Sequence, residues 1–242
     1  LDASDRGASD LTVAGKLFCD RFPPDKIPAL PTCGIFLRRE FPLKNNLEFP
    51  EGIHPCEDGL FSHFVLALTE KISFCPEAVY HYRQHEQGNH HQIRKRTADI
   101  LPMIPRWLSL IEEFYEQRHL WKRKAGHLVR FIEHEPFELR LLGMPFSPPE
   151  QEILYSIIRD FLNAHCTAAE CRRASLHLPF RLLLKSSGFS DFGRRLRRAG
   201  KNTGIRRKLL HFCPVPSWRR NGRARLRQVR EQLEEIRRNI TF

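Results

Sequence analysis

Glu57 and Asp58 are adjacent carboxylates placed immediately before a run of apolar residues at helical spacing: Leu60, Phe61, Phe64, Val65 and Leu68. A carboxylate at a helix start has a fixed direction, and a fixed carboxylate can take a proton from a hydroxyl as that hydroxyl attacks an electrophile. Such positioned general-base catalysis contributes roughly 10²–10⁴-fold. Acidic residues also stabilise helix starts through the helix dipole, so the pair alone does not decide the chemistry. A basic and aromatic segment, Tyr80-His81-Tyr82-Arg83, follows with His85 just beyond it. Arg83 and His85 could face an anionic group.

The surroundings sharpen the reading. Ile35-Phe36 and Arg38-Arg39-Glu40-Phe41 form a short aromatic and basic element, then a polar spacer leads to Phe49-Pro50-Glu51-Gly52, then Glu57-Asp58 with Phe61. The stretch KISFCPEAVYHYRQH follows, reading as a strand pair that ends in Y-x-Y-R. This order, over about residues 31–92, resembles the acceptor-side half of family-2, GT-A-type nucleotide-sugar glycosyltransferases. The resemblance implies inverting transfer of a sugar from a nucleotide-sugar donor to a hydroxyl of a glycan or lipid-linked acceptor. It makes Asp58 the base and Glu57 its neighbour that places the acceptor, with Arg83 and His85 near the diphosphate.

The same resemblance implies a missing part. The family's donor half carries a nucleotide-binding α/β unit and a D-x-D that holds a divalent metal, Mg or Mn, and it precedes the acceptor side. LDASD at residues 1–5 resembles half of such a site, but Ser4 stands where the second key Asp belongs. The chain is therefore expected to be a fragment that binds no metal itself, the cofactor belonging to the complete enzyme. No G-x-G-x-x-G, P-loop or G-x-S-x-G occurs. His81, His85, His90 and His91 crowd one segment without a completing Cys or carboxylate pattern, and read as a solvated loop.

These groups need elements to hold them. The expected fold class is α/β for residues 1–95, a partial GT-A-type half, followed by a mainly α-helical region at 96–178 and a basic helical tail at 179–242. Residues 11–22 suggest a short helix, while residues 71–74 and 78–82 read as strands. From Thr97 the spacing is helical: Ile100, Leu101, Ile104, Leu108, Ile111 and Phe114-Tyr115 form one stripe, and Leu128, Val129, Phe131 and Ile132 a second. Ser147 is placed to cap a third helix, with Ile153, Leu154, Ile157, Ile158 and Phe161 on its inner face. Residues 180–184 suggest a short helix.

At 242 residues and 41% hydrophobic content the chain can bury a sizeable core. Its seven cysteines form no C-x-x-C pair and read as reduced thiols, which implies a cytoplasmic location. The formal charge of +12 is uneven: residues 179–242 carry 18 Lys and Arg against 4 Asp and Glu, and the remainder 22 against 24. A basic tail favours anionic partners, here the surface of a membrane at its inner face. Nucleic acid ranks lower, because the tail has few aromatics to stack bases and no recognised binding motif. Leu226, Val229, Leu233, Ile236 and Ile240 form a short heptad seam that could pair with a second chain or dock back on the body. The rival reading is a non-catalytic basic adaptor that binds nucleic acid or an acidic partner through this tail.

Overall fold

The computed structural model describes residues 11–14, 32–69, 72–75, 93, 96–175, 177–209, 226–227, 229–231 and 233. Helices dominate them. The strands are β1 (Leu11–Ala14), β2 (Ile35–Leu37) and β3 (Ile72–Cys75). They form one sheet in the order β2-β1-β3, β1 pairing antiparallel with β2 and parallel with β3.

This corrects the expected α/β class: among the described residues the fold is mainly α. Three strands of three or four residues make a small flap, not the sheet of a GT-A half. The physical reason lies in what the matching segments encode. Phe49-Pro50-Glu51-Gly52 and Glu57-Asp58 specify a loop and a helix start, and neither dictates a sheet. Residues 11–14 are strand where the spacing suggested helix, because so short an apolar run fits either period.

Helix α1 (Glu40–Lys44) is little more than a single turn. Helix α2 (Glu57–Leu68) buries every residue from Gly59 to Ala67 and forms the centre of the molecule. A helix buried all round must satisfy its polar groups internally. The Ser62 hydroxyl donates to the Gly59 carbonyl at 3.1 Å, and His63 Nε2 meets the Tyr115 hydroxyl at 3.2 Å.

Helices α3 (Thr97–Ile100), α4 (Met103–Gln117) and α5 (Trp121–Ile132) follow. Ile104, Leu108, Ile111 and Phe114-Tyr115 are buried on α4 as their spacing predicts, and Trp107 joins them. The chain then widens into a π-helix over Glu133–Leu142, with Pro136 inside it. Proline has no N–H to give an α-helical ladder, and widened turns are where such a break is absorbed.

Helix α6 (Pro148–His165) starts on a capping box between Ser147 and Glu150, as expected. Its inner face is Leu154, Tyr155, Ile158, Phe161 and Leu162, whereas Ile153 is 51% exposed. The stripe is thus rotated by one residue from the expected one. Helices α7 (Ala168–Ala174), α8 (Leu178–Lys185) and α9 (Phe189–Leu209) complete the series. Phe180 and Phe192 both pack on Phe137, with ring centres 5.1 and 6.1 Å away. Leu233 is buried in the same apolar cluster, and Val229 packs against it. These two heptad positions therefore dock back on the body.

Candidate functional site

The acidic pair sits on the first turn of α2. Cys56 precedes it in a left-handed backbone conformation, φ 94°. The Leu60 N–H donates to the Cys56 carbonyl at 2.9 Å, closing the first helical turn. No side chain caps this helix, so the two carboxylates are what complement the positive end of its dipole. Glu57 Oε1 lies 3.3 Å from His54 Nδ1. Asp58 Oδ1 accepts the Gly59 N–H at 2.8 Å.

Asp58 is exposed, yet neighbouring protein crowds its carboxyl. Partial desolvation raises its pKa from the ordinary aspartate value, the Gly59 N–H opposes the rise, and the negative charges of Glu135 and Glu57 add to it. The result is a carboxylate open to solvent with more than usual affinity for a proton.

Beneath the pair lies a buried ion pair. Arg140 Nη2 donates to Glu135 Oε2 at 2.9 Å, and both side chains are about nine-tenths buried. The Arg140 guanidinium stands 5.4 Å from the Trp107 ring centre. The Cys56 thiol donates to Glu135, and burial followed by the Glu135 charge pushes that thiol well up. A Cβ at Gly59 would stand 3.0 Å from Cys56 Sγ and 3.2 Å from Glu135 Oε1. Only glycine lets the carboxylate approach this closely without displacement.

The flank is aromatic. Phe49 stacks on Phe61 with 4.1 Å between ring centres, and Phe49 remains 50% exposed. Gly52 has φ +65°, and a Cβ there would stand 3.4 Å from the Arg106 guanidinium. Arg106 also donates to the Glu51 carbonyl at 3.5 Å. The structure thus brings Phe49 onto the helix that carries Glu57, Asp58 and Phe61, while Gly52 lies against Arg106. Arg83 and His85 lie outside the described residues, as do residues 1–5 and the strand expected over 78–82.

Glu135, Arg140 and Arg106 were not found from the sequence. They come from the helical region, and their closeness to α2 is a tertiary fact with no local spacing to announce it. Pro136 inside a helical pattern is the one trace, and it marks the disturbed turn without saying what the turn holds.

Among the described residues no group of three or more His, Cys, Asp or Glu is placed to hold a metal ion. Around α2, Glu57 is turned to His54 and Glu135 is committed to Arg140. These residues do not fit a divalent cation. A cavity of about 380 Å³ opens at the other end of α2, lined by Leu68, Arg118, Arg123 and Lys124 among others, away from Asp58. Among the described residues no helix is long and apolar enough to cross a membrane. No family model matches the chain, and no curated protein or solved structure gives a significant match.

Proposed function

We propose that this chain carries the acceptor-activating carboxylate of an inverting glycosyltransferase. The observation that supports it is Asp58: an outward-facing carboxylate with raised proton affinity, fixed on the first turn of a buried helix. The F-P-E-G and E-D segments and their aromatic neighbours point to sugar transfer as the reaction. Asp58 takes the proton of the acceptor hydroxyl while that oxygen bonds to the anomeric carbon of a nucleotide-sugar. The bond from that carbon to the diphosphate oxygen breaks, and the nucleoside diphosphate leaves with the electron pair. Asp58 then returns its proton to water. A base of raised pKa pulls harder on a hydroxyl proton than an ordinary aspartate does.

In this reading Glu57, held by His54, places the acceptor. The exposed Phe49 ring offers an apolar face to a pyranose beside the base. Arg83 and His85 serve the diphosphate. The test is transfer by the natural protein. Nucleotide-sugars such as UDP-glucose and GDP-mannose would be offered with mono- and disaccharide acceptors. The expected result is turnover with the wild type and a loss of about 10²–10⁴-fold in kcat for Asp58→Asn. Equal turnover by the two proteins sinks the assignment.

A second reading rests on α9. Arg194, Arg197, Arg198 and Lys201 lie on its solvent side, while Phe192 and Leu196 are buried. This face suits an anionic partner, whether a membrane surface that holds the enzyme peripherally or, in the adaptor reading, a nucleic acid or acidic protein. Binding to anionic vesicles that falls steeply with salt, and is lost when these four residues become Gln, supports it. Retained binding by that variant removes α9 from consideration.

A further inference from the structure

Glu135 occupies an unusual place for a buried carboxylate. One oxygen is held by Arg140 at 2.9 Å. The other faces the turn that starts α2, 3.2 Å from where a Gly59 Cβ would stand. The Cys56 thiol donates to the same carboxylate. Cys56, Glu57, Asp58 and Gly59 are consecutive, so Glu135 grips the residues on both sides of the acidic pair. The gripping residue comes from the π-helix, a wide turn of the kind found at functional sites. We infer that Glu135 is a positioning residue for Asp58: clamped by Arg140, it fixes the Cys56–Gly59 turn from below and sets the charge that the Asp58 carboxylate faces.

Among the described residues, Glu57 on its own helix and Glu135 on the π-helix are the charges that act on Asp58; Cys56 lies in the preceding turn, His54 lies against Glu57, and Arg140 holds Glu135. His134 and Glu138 belong to the π-helix too; His134 Nδ1 lies 3.7 Å from Glu138 Oε2, and His134 feels the Glu135 charge. Of these, Glu135 combines burial with a direct hold on the turn. Neutralising it removes a like charge near Asp58 and leaves the Arg140 cation uncompensated. Both changes favour the ionised form of Asp58.

The inference rests on Asp58 being the base, but its test does not. Side-chain carboxyl NMR would follow the titration of Asp58 in the full chain and in Glu135→Gln. The expected result is a lower midpoint in the variant. Gly59→Ala approaches from the other side: its methyl pushes Glu135 away without changing any charge, and it too should lower the midpoint. It decides the matter if Glu135→Gln fails to fold. In the transfer assay the acidic limb of the pH profile should move down by the same amount, with kcat falling more than KM rises. An unmoved Asp58 midpoint in the folded variants overturns the positioning role, whatever the activity does. A moved midpoint in a protein that transfers no sugar keeps the role and removes the glycosyltransferase reading instead.

Discussion

Phe49 lies flat on Phe61, their planes 10° apart. The contact ties the Phe49-Pro50-Glu51-Gly52 loop to the same face of α2 that carries Asp58 three residues earlier. Replacing Phe49 with Ala should loosen this loop at a cost of about 0.5–1.5 kcal/mol, the range for an aromatic pair beyond its burial. Chemical denaturation checks the stability. Acceptor KM should rise more than kcat falls if the ring also meets the sugar.

Asp58 should trade stability for function. Its pKa is raised in the folded chain, so the native state holds the proton more tightly than the unfolded state does. Above the folded pKa the ionised carboxylate is a cost; that cost shrinks as pH falls below this value and is gone below the unfolded pKa. Asp58→Asn should therefore melt slightly higher than wild type at pH 7, with the difference vanishing on acidification. Thermal melts of both proteins across pH check this, and a variant less stable at pH 7 contradicts it.

The Glu135–Arg140 pair makes a distinct stability prediction. Arg140→Met leaves a buried carboxylate without its cation and should cost about 3–5 kcal/mol. Glu135→Leu with Arg140→Met removes both charges and should recover most of the loss. A double variant as unstable as the single one would mean that the carboxylate is not what suffers.

Thr167 starts α7 by accepting the Glu170 N–H at 3.2 Å, while Glu170 Oε2 takes the Thr167 N–H at 2.8 Å. Thr167→Ala should cost about 1 kcal/mol. Hydrogen bonds from the Thr167 hydroxyl and N–H hold the Glu170 carboxyl below its usual pKa. Its contribution is thus complete above the unfolded pKa and is lost as pH falls through the folded one. The difference between Thr167→Ala and wild type should shrink in acid, as melting curves would show.

Phe137 is fully buried between Phe180 and Phe192. Phe137→Ala opens a cavity where α8 and α9 meet the π-helix and should cost about 3–5 kcal/mol. Hydrogen exchange in α8 and α9 should rise more than in α2.

What could be read from the residues was local. Ile104, Leu108 and Ile111 announced α4 because each turn repeats the same demand for burial. Ser147 announced α6 because a hydroxyl with Glu150 three residues on satisfies the first turn from nearby residues alone. Glu57 and Asp58 were placed correctly at a helix mouth for the same reason. Long-range facts were not legible. Ile153 was assigned inward because its neighbours were apolar, yet the packing of α6 chose Tyr155 and Leu162 instead. The α/β expectation came from segments that specify a loop and a helix start, and the sheet they were thought to imply shrank to three short strands. Glu135 escaped because the Cys56–Gly59 turn it faces sits some eighty residues earlier in the chain.

The π-helix also makes the chain intolerant of a particular kind of error. A wide turn holds one more residue than an α-turn, so deleting a single residue between 133 and 142 would let the segment relax to ordinary α geometry. Within the relaxed segment each residue would advance by about 100°, a larger step than in a wide turn, so the side chains of residues 133–142 would change faces. Glu135 would leave the Cys56–Gly59 turn, and Phe180 and Phe192 would lose their seat on Phe137. A substitution at Glu135, Phe137 or Arg140 disturbs the contact that residue makes, but a change in the length of this stretch disturbs the Cys56–Gly59 turn and the distal helices together. Natural variation here should therefore preserve the count of residues.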